Sequence, residues 1–190
     1  MPMVHLLPHW THPGMEGVSI PMCAYTNGDE AELWLSGRSL GKRLVEQRCA
    51  WWYVPYERGE LRVAAYRDGR MVAESSVRTA SAPARLELTA DREALPADRM
   101  ALVHVTVRIL DAEGVFCPSA AVDLAFHVDG PGEAVAVGNG DPMAESVNRS
   151  RQTFMGMALC VVRSTGVAGT IVVRAHADDM ADDRVSVEAR

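Results

Sequence analysis

Trp51-Trp52-Tyr53, followed by Tyr56, is the stretch of this sequence best suited to holding a ligand. Flat aromatic faces can cover the CH groups of a sugar ring. In an extended strand Trp51 and Tyr53 point to one side and Trp52 to the other, so at least one ring is expected in the core. Core packing, or docking on a neighbouring domain, is the stronger account of the group, because large aromatics dominate both cores and interfaces. Trp34 belongs with them. In Glu30-Ala31-Glu32-Leu33-Trp34-Leu35 strict alternation puts Leu33 and Leu35 on one face and Glu30, Glu32 and Trp34 on the other. Two acidic neighbours mark that face as wet, so Trp34 is expected to be partly exposed and to serve in a contact surface.

Other chemistry-bearing groups are weaker. Hydrolysis of a glycosidic bond needs two carboxylates about 5 to 10 Å apart in a cleft. Asp29, Glu30 and Glu32 are the nearest cluster in the first half, and a solvated strand face explains them. Asp178, Asp179, Asp182 and Asp183 could offer oxygens to a calcium ion, yet the glycine and glutamate at fixed positions of a calcium loop are missing, so a solvated loop is expected. His5, His9 and His12 lack a defined fourth ligand and read as residues that face a neighbouring domain. There is no GxSxG, no glycine-rich phosphate loop and no cysteine in a nucleophile motif. No catalytic residue, metal or cofactor is therefore expected.

The elements that would position these side chains are strands. Leu61, Val63 and Ala65 alternate with Arg62, Ala64 and Tyr66; Val103, Val105, Val107 and Ile109 alternate with His104, Thr106 and Arg108; Ile171, Val173 and Ala175 oppose Val172, Arg174 and His176. Turn pairs stand between such runs, among them Asn27-Gly28, Ser36-Gly37, Asp68-Gly69 and Asn139-Gly140, where Asn, Asp and Gly accept the positive φ of tight hairpins. Short strands at this density predict an all-β chain of two immunoglobulin-like β-sandwich domains in tandem, with about seven strands each. The small-residue stretch Thr79-Ala80-Ser81-Ala82-Pro83 marks the join. The expected organisation is a connector over 1–16, where Pro2, Pro8 and Pro13 accompany no alternation, a first sandwich over 17–80 and a second over 83–190.

Composition narrows the partners. The chain has 190 residues, 48% of them hydrophobic and 23% charged, which is the ordinary globular range. A formal net charge of −6 without a Lys/Arg stripe argues against nucleic acid and anionic membranes, and no apolar run approaches the roughly 20 residues of a spanning helix. Cys23, Cys49, Cys117 and Cys160 form no CxxC or Cys/His pattern and are expected as four structural thiols. Residues 1–12 lack the features of a signal peptide, and cysteine usage leaves the compartment open.

His5-Leu6-Leu7-Pro8-His9-Trp10 and the long stretch Tyr25-Thr26-Asn27-Gly28-Asp29-Glu30-Ala31-Glu32-Leu33-Trp34-Leu35-Ser36-Gly37-Arg38-Ser39-Leu40-Gly41 resemble the region just after the catalytic barrel in bacterial family 2 glycoside hydrolases of the β-galactosidase type. Val54-Pro55-Tyr56-Glu57-Arg58-Gly59-Glu60-Leu61 continues the resemblance. Leu86-Glu87-Leu88-Thr89-Ala90-Asp91-Arg92 and Val137-Gly138-Asn139-Gly140-Asp141-Pro142 are similar to the C-terminal immunoglobulin-like domain that follows. A cysteine often stands in the family at Gly28 and an asparagine at Ser36, and neither departure touches a site.

The resemblance implies that the acid/base and nucleophilic glutamates lie upstream, in a barrel that is the partner of this region; the compartment, periplasmic, secreted or other, stays open. It implies an inactive accessory region that braces the barrel or an oligomer contact, in a parent hydrolysing terminal β-linked sugar. The alternative is a carbohydrate-binding module using the exposed aromatics of the first domain. Asn148-Arg149-Ser150 is a glycosylation sequon in form, which in a bacterial chain is accidental.

Overall fold

The computed structural model describes residues 1–143 and 150–190, the last segment without the side chain of Ser150. Asn148 and Arg149 of the sequon lie outside the described residues. The described residues contain strands and turns and no helix. The chain divides into two compact units, Met1–Thr79 and Ala80–Arg190.

The first unit holds β1 (Val4–Leu7), β2 (Ser19–Thr26), β3 (Glu30–Leu35), β4 (Arg38–Leu44), β5 (Cys49–Pro55), β6 (Glu60–Arg67) and β7 (Arg70–Arg78). They form a three-stranded sheet in the order β1-β2-β5 and a four-stranded sheet in the order β4-β3-β6-β7, antiparallel throughout. One buried cluster joins the two inner faces, with Leu6, Met22 and Trp52 from the first sheet and Leu33, Leu61 and Val63 from the second. β3 and β5 contribute strictly alternate residues to it, the pattern of a sandwich whose outer faces are wet. Two hairpins fix the register of the larger sheet. Ser36-Gly37 joins β3 to β4 at φ 49° and 83°, and Asp68-Gly69 joins β6 to β7 at φ 50° and 74°. Positive φ at both central residues matches the right-handed twist of the flanking strands.

The expectation that the connector over 1–16 holds no strand is corrected at Val4–Leu7, which is an edge strand paired with β2 from Val4↔Thr26 to Leu7↔Cys23. Four residues ended by Pro8 are too few to display alternation, and the strand is identified only by its partner. Beyond it, Trp10 is wholly buried in the same core and its indole N–H donates to the Glu57 carbonyl at 2.9 Å.

The second unit holds β8 (Pro83–Ala90), β9 (Ala94–Leu95), β10 (Leu102–Asp111), β11 (Asp123–Asp129), β12 (Gly132–Gly138), β13 (Ser150–Gln152), β14 (Met157–Ser164), β15 (Gly169–His176) and β16 (Asp183–Ala189). Its sheets run β12-β14-β10-β8 and β13-β11-β15-β16-β9. Among the described residues nine strands stand where seven are expected, through two short additions, β9 parallel to β16 and β13 beside β11. Val103, Val105, Val107 and Ile109 of β10 and Ile171 and Val173 of β15 are fully buried in one core.

Candidate functional site

β5 carries the aromatic run, and its alternation sorts the rings. Ala50, Trp52 and Val54 turn inward, and Trp52 is 2% exposed, its indole N–H donating to the Gly41 carbonyl at 3.1 Å. Trp51 and Tyr53 turn outward and are 52% and 75% exposed. Tyr56, past the end of the strand, is buried against Trp10 with ring centroids 5.0 Å apart and a steep 69° interplanar angle, and among the described residues its hydroxyl has no hydrogen-bond partner. Trp34 stands on the outer face of the other sheet, half-buried, with the Arg62 guanidinium 4.3 Å from its ring centre. Leu33 and Leu35 beside it are buried. Of the five aromatic positions, the structure thus brings Trp51 and Tyr53 together on one open face and sends the other three elsewhere.

The register of β2 against β5 completes that face. Cys23 lies opposite Trp51, Pro21 opposite Tyr53 and Tyr25 opposite Cys49. Tyr25 is 42% exposed and adds a third ring, and Leu7 of β1, opposite Cys23, is exposed beside it. The thiols of Cys23 and Cys49 interact: burial, then the Cys49 neighbour, pushes Cys23 up to about 12. The phenol of Tyr25 is raised by the Cys49 thiol first and Cys23 second. All four cysteines are free thiols, Cys49 half-buried and the other three buried. Burial pushes Cys117 and Cys160 each up to about 11, with Asp111 adding to the effect on Cys117. None of the three buried thiols has the lowered pKa of a nucleophile.

Trp51 also forms one wall of a cleft of about 720 Å³, lined by Lys42, Arg43, Glu46, Gln47 and Cys49 among others. The cleft runs between β4 and β5, each the edge strand of its sheet. Arg43 lies opposite Ala31, which faces the core, so at the open edge its exposed side chain leaves the sandwich on the cleft side. Tyr25 and Arg43 carry no linear signal, because each meets Trp51 only through pairings between distant strands.

The carboxylates of the first unit are held by surface partners. Glu32 accepts from the Ser39 hydroxyl at 2.7 Å, Glu30 meets the Lys42 ammonium at 3.4 Å, and Asp29 accepts from the Asp68 N–H at 3.2 Å. In the aspartate-rich loop, His176 Nδ1 lies 2.8 Å from Asp182 and Nε2 3.6 Å from Asp178, while Asp183 accepts from the Leu88 N–H at 2.7 Å. His9 and His12 stack at 4.6 Å, and burial, then the neighbouring His12, holds His9 below its ordinary value. Among the described residues no group of three or more metal-capable side chains converges.

Residues 86–186 match the family described as Glycoside hydrolase family 2 C-terminal domain 5, and residues 17–73 match a domain of unknown function, DUF4982. The chain belongs to glycoside hydrolase family 2. It is 35% identical to the β-galactosidase BoGH2A of Bacteroides ovatus over 98% of its own length and 22% of that protein. It is 23% identical to a β-glucuronidase of Formosa agariphila over 99% of its length and 20% of that protein. A crystal structure of a β-glycosidase from Bacteroides vulgatus superposes with a TM-score of 0.93 at 32% identity, covering 99% of this chain and 25% of that one. The chain thus spans about a fifth of the length of these curated relatives, all of them bacterial. The family resemblance carried by Tyr25 to Gly41 and by the second-half motifs is confirmed, with both units inside the matched region.

Proposed function

We propose that this chain is a non-catalytic accessory region of a glycoside hydrolase that cleaves terminal β-linked sugars, and that it braces the catalytic barrel of its parent or an oligomer contact. The observation that carries this reading is the extent of the match: nearly the whole chain aligns with about a fifth of each relative, and residues 86–186 match a C-terminal domain of the family. The surface engagement of Asp29, Glu30 and Glu32 supports it, since each is held by a polar partner at the exposed surface, as on a solvated sheet face. The names of the relatives offer β-galactoside and β-glucuronide as the parent's substrates. The isolated chain should not turn over nitrophenyl β-galactoside or nitrophenyl β-glucuronide. A clean rate that a point mutation in this chain abolishes would overturn the proposal.

A second reading, contact with carbohydrate through the first unit, is favoured by one observation. Trp51 and Tyr53 are both largely exposed on the same face of one strand, where water is in contact with apolar rings that a sugar could cover.

A further inference from the structure

We infer that the cleft between the edge strands β4 and β5 binds an acidic oligosaccharide, with Trp51 and Tyr53 stacking on pyranose faces and Arg43 holding a uronate carboxylate. This rests on the second reading above and adds to it a place and a ligand class.

The platform has a suitable spacing. Trp51 and Tyr53 are two residues apart on one strand face, about 6.6 Å, so the rings can engage neighbouring sugars of one chain. The cleft, of which Trp51 is one wall and Tyr53 lies outside on the same strand face, is concave and polar on its far wall, the combination that fixes a ligand's orientation after apolar surfaces have supplied contact area. Because β4 and β5 are sheet edges, each presents backbone N–H and C=O groups without a strand partner, which sugar hydroxyls can meet.

Charge selects the class of sugar. Residues 38–48 hold four bases, Arg38, Lys42, Arg43 and Arg48, against the single acid Glu46, a local excess of three positive charges in a chain of net −6. Arg38 is spent on Glu57 at 3.1 Å, and Lys42 on Glu30 and on the Tyr66 ring. Among the described residues, Arg43 and Arg48 have no carboxylate within ion-pair distance. A guanidinium offers a planar fork that matches a carboxylate bidentately, so an uncommitted arginine beside an aromatic platform suits a uronic acid better than a neutral sugar.

The lip of the cleft adds an independent observation. Gln47 and Arg48, in the turn between Glu46 and Cys49, adopt φ of 50° and 66°. The hairpins at Ser36-Gly37 and Asp68-Gly69 place a glycine at the second left-handed position, whereas here two long side chains occupy both. Such backbone outliers cluster at ligand sites, where the surrounding structure holds them.

The test is titration of the full 190-residue chain with oligogalacturonides and with neutral β-1,4-galacto-oligosaccharides of equal length, followed by calorimetry and tryptophan fluorescence. The acidic series should bind about tenfold or more tightly than the neutral one, the equivalent of one charge-assisted hydrogen bond, and the preference should shrink in high salt. Arg43→Gln should remove the preference, and Trp51→Ala should remove binding of both series. Tyr53→Ala serves as a second platform variant, with near-ultraviolet circular dichroism confirming the fold of each. Equal binding of both series, unchanged by Arg43→Gln, would overturn the acidic class and leave the carbohydrate reading standing. No binding of either series would overturn both. Binding that survives both Trp51→Ala and Tyr53→Ala would overturn the site.

Discussion

Adjacent residues Trp51 and Trp52 should respond oppositely to truncation. Trp52 is 2% exposed, packs in the core shared by both sheets of the first unit and donates to the Gly41 carbonyl at 3.1 Å. Trp52→Ala opens a ring-sized cavity, which costs about 3 to 5 kcal/mol, and loses a hydrogen bond worth about 1 kcal/mol. A unit the size of Met1–Thr79 has a total stability of about 4 to 12 kcal/mol, so the loss takes a large share of it. With a urea slope of about 1 kcal/mol per molar, the midpoint should fall by several molar or the unit should be unfolded in buffer. Trp51 is 52% exposed, and its truncation leaves an open surface rather than a cavity, so Trp51→Ala should cost about 1 kcal/mol. Urea unfolding followed by tryptophan fluorescence reads the first unit selectively, because Trp10, Trp34, Trp51 and Trp52 all lie within Met1–Thr79. Equal losses for the two variants, or a larger loss for Trp51→Ala, would refute the assignment of faces on β5.

Trp34→Ala should cost the isolated chain about 1 kcal/mol, chiefly the contact with Arg62, since that interaction is half in water; the same fluorescence titration measures it, and a loss above about 3 kcal/mol would place the ring in the core. Gly130→Ala should destabilise the second unit by more than about 2 kcal/mol, because Gly130 has φ 84° and an added Cβ would stand 2.1 Å from the Thr170 carbonyl oxygen; far-ultraviolet thermal melts would read the loss. The imidazole of His176 is raised above its ordinary value by its hydrogen bond to Asp182 and then by that carboxylate's charge. Its contribution to stability is therefore present below pH 6.5 and lost as pH rises through the folded value. Asp182→Asn should bring the proton NMR titration of His176 back down, and an unchanged titration would contradict the assignment.

Local pattern carried much of the fold. Leu33 and Leu35 against Trp34 gave the correct faces of β3, and Ser36-Gly37 and Asp68-Gly69 marked hairpins because left-handed backbone restricts the residue types that can stand there. The strand at Val4–Leu7 was hidden because its only evidence of pairing lies some twenty residues away in β2. On β5 the alternation separated Trp52 from Trp51 and Tyr53, but which side faced the core depended on β2 and on the second sheet. Tyr25, Cys23 and Arg43 join the candidate face through cross-strand register and sheet edges, quantities that no short stretch of chain encodes.

The bracing role is tested most directly in the parent enzyme, by removing this region and measuring thermal midpoint, oligomeric state and turnover of nitrophenyl glycoside together. Loss of thermal stability or of the oligomer, with residual turnover in whatever remains folded, is the result that the proposed role predicts. A truncated enzyme that keeps its midpoint, its assembly and its full turnover would contradict it, and so would one that stays folded and assembled while losing all chemistry, which would place this region at the active site rather than in a brace.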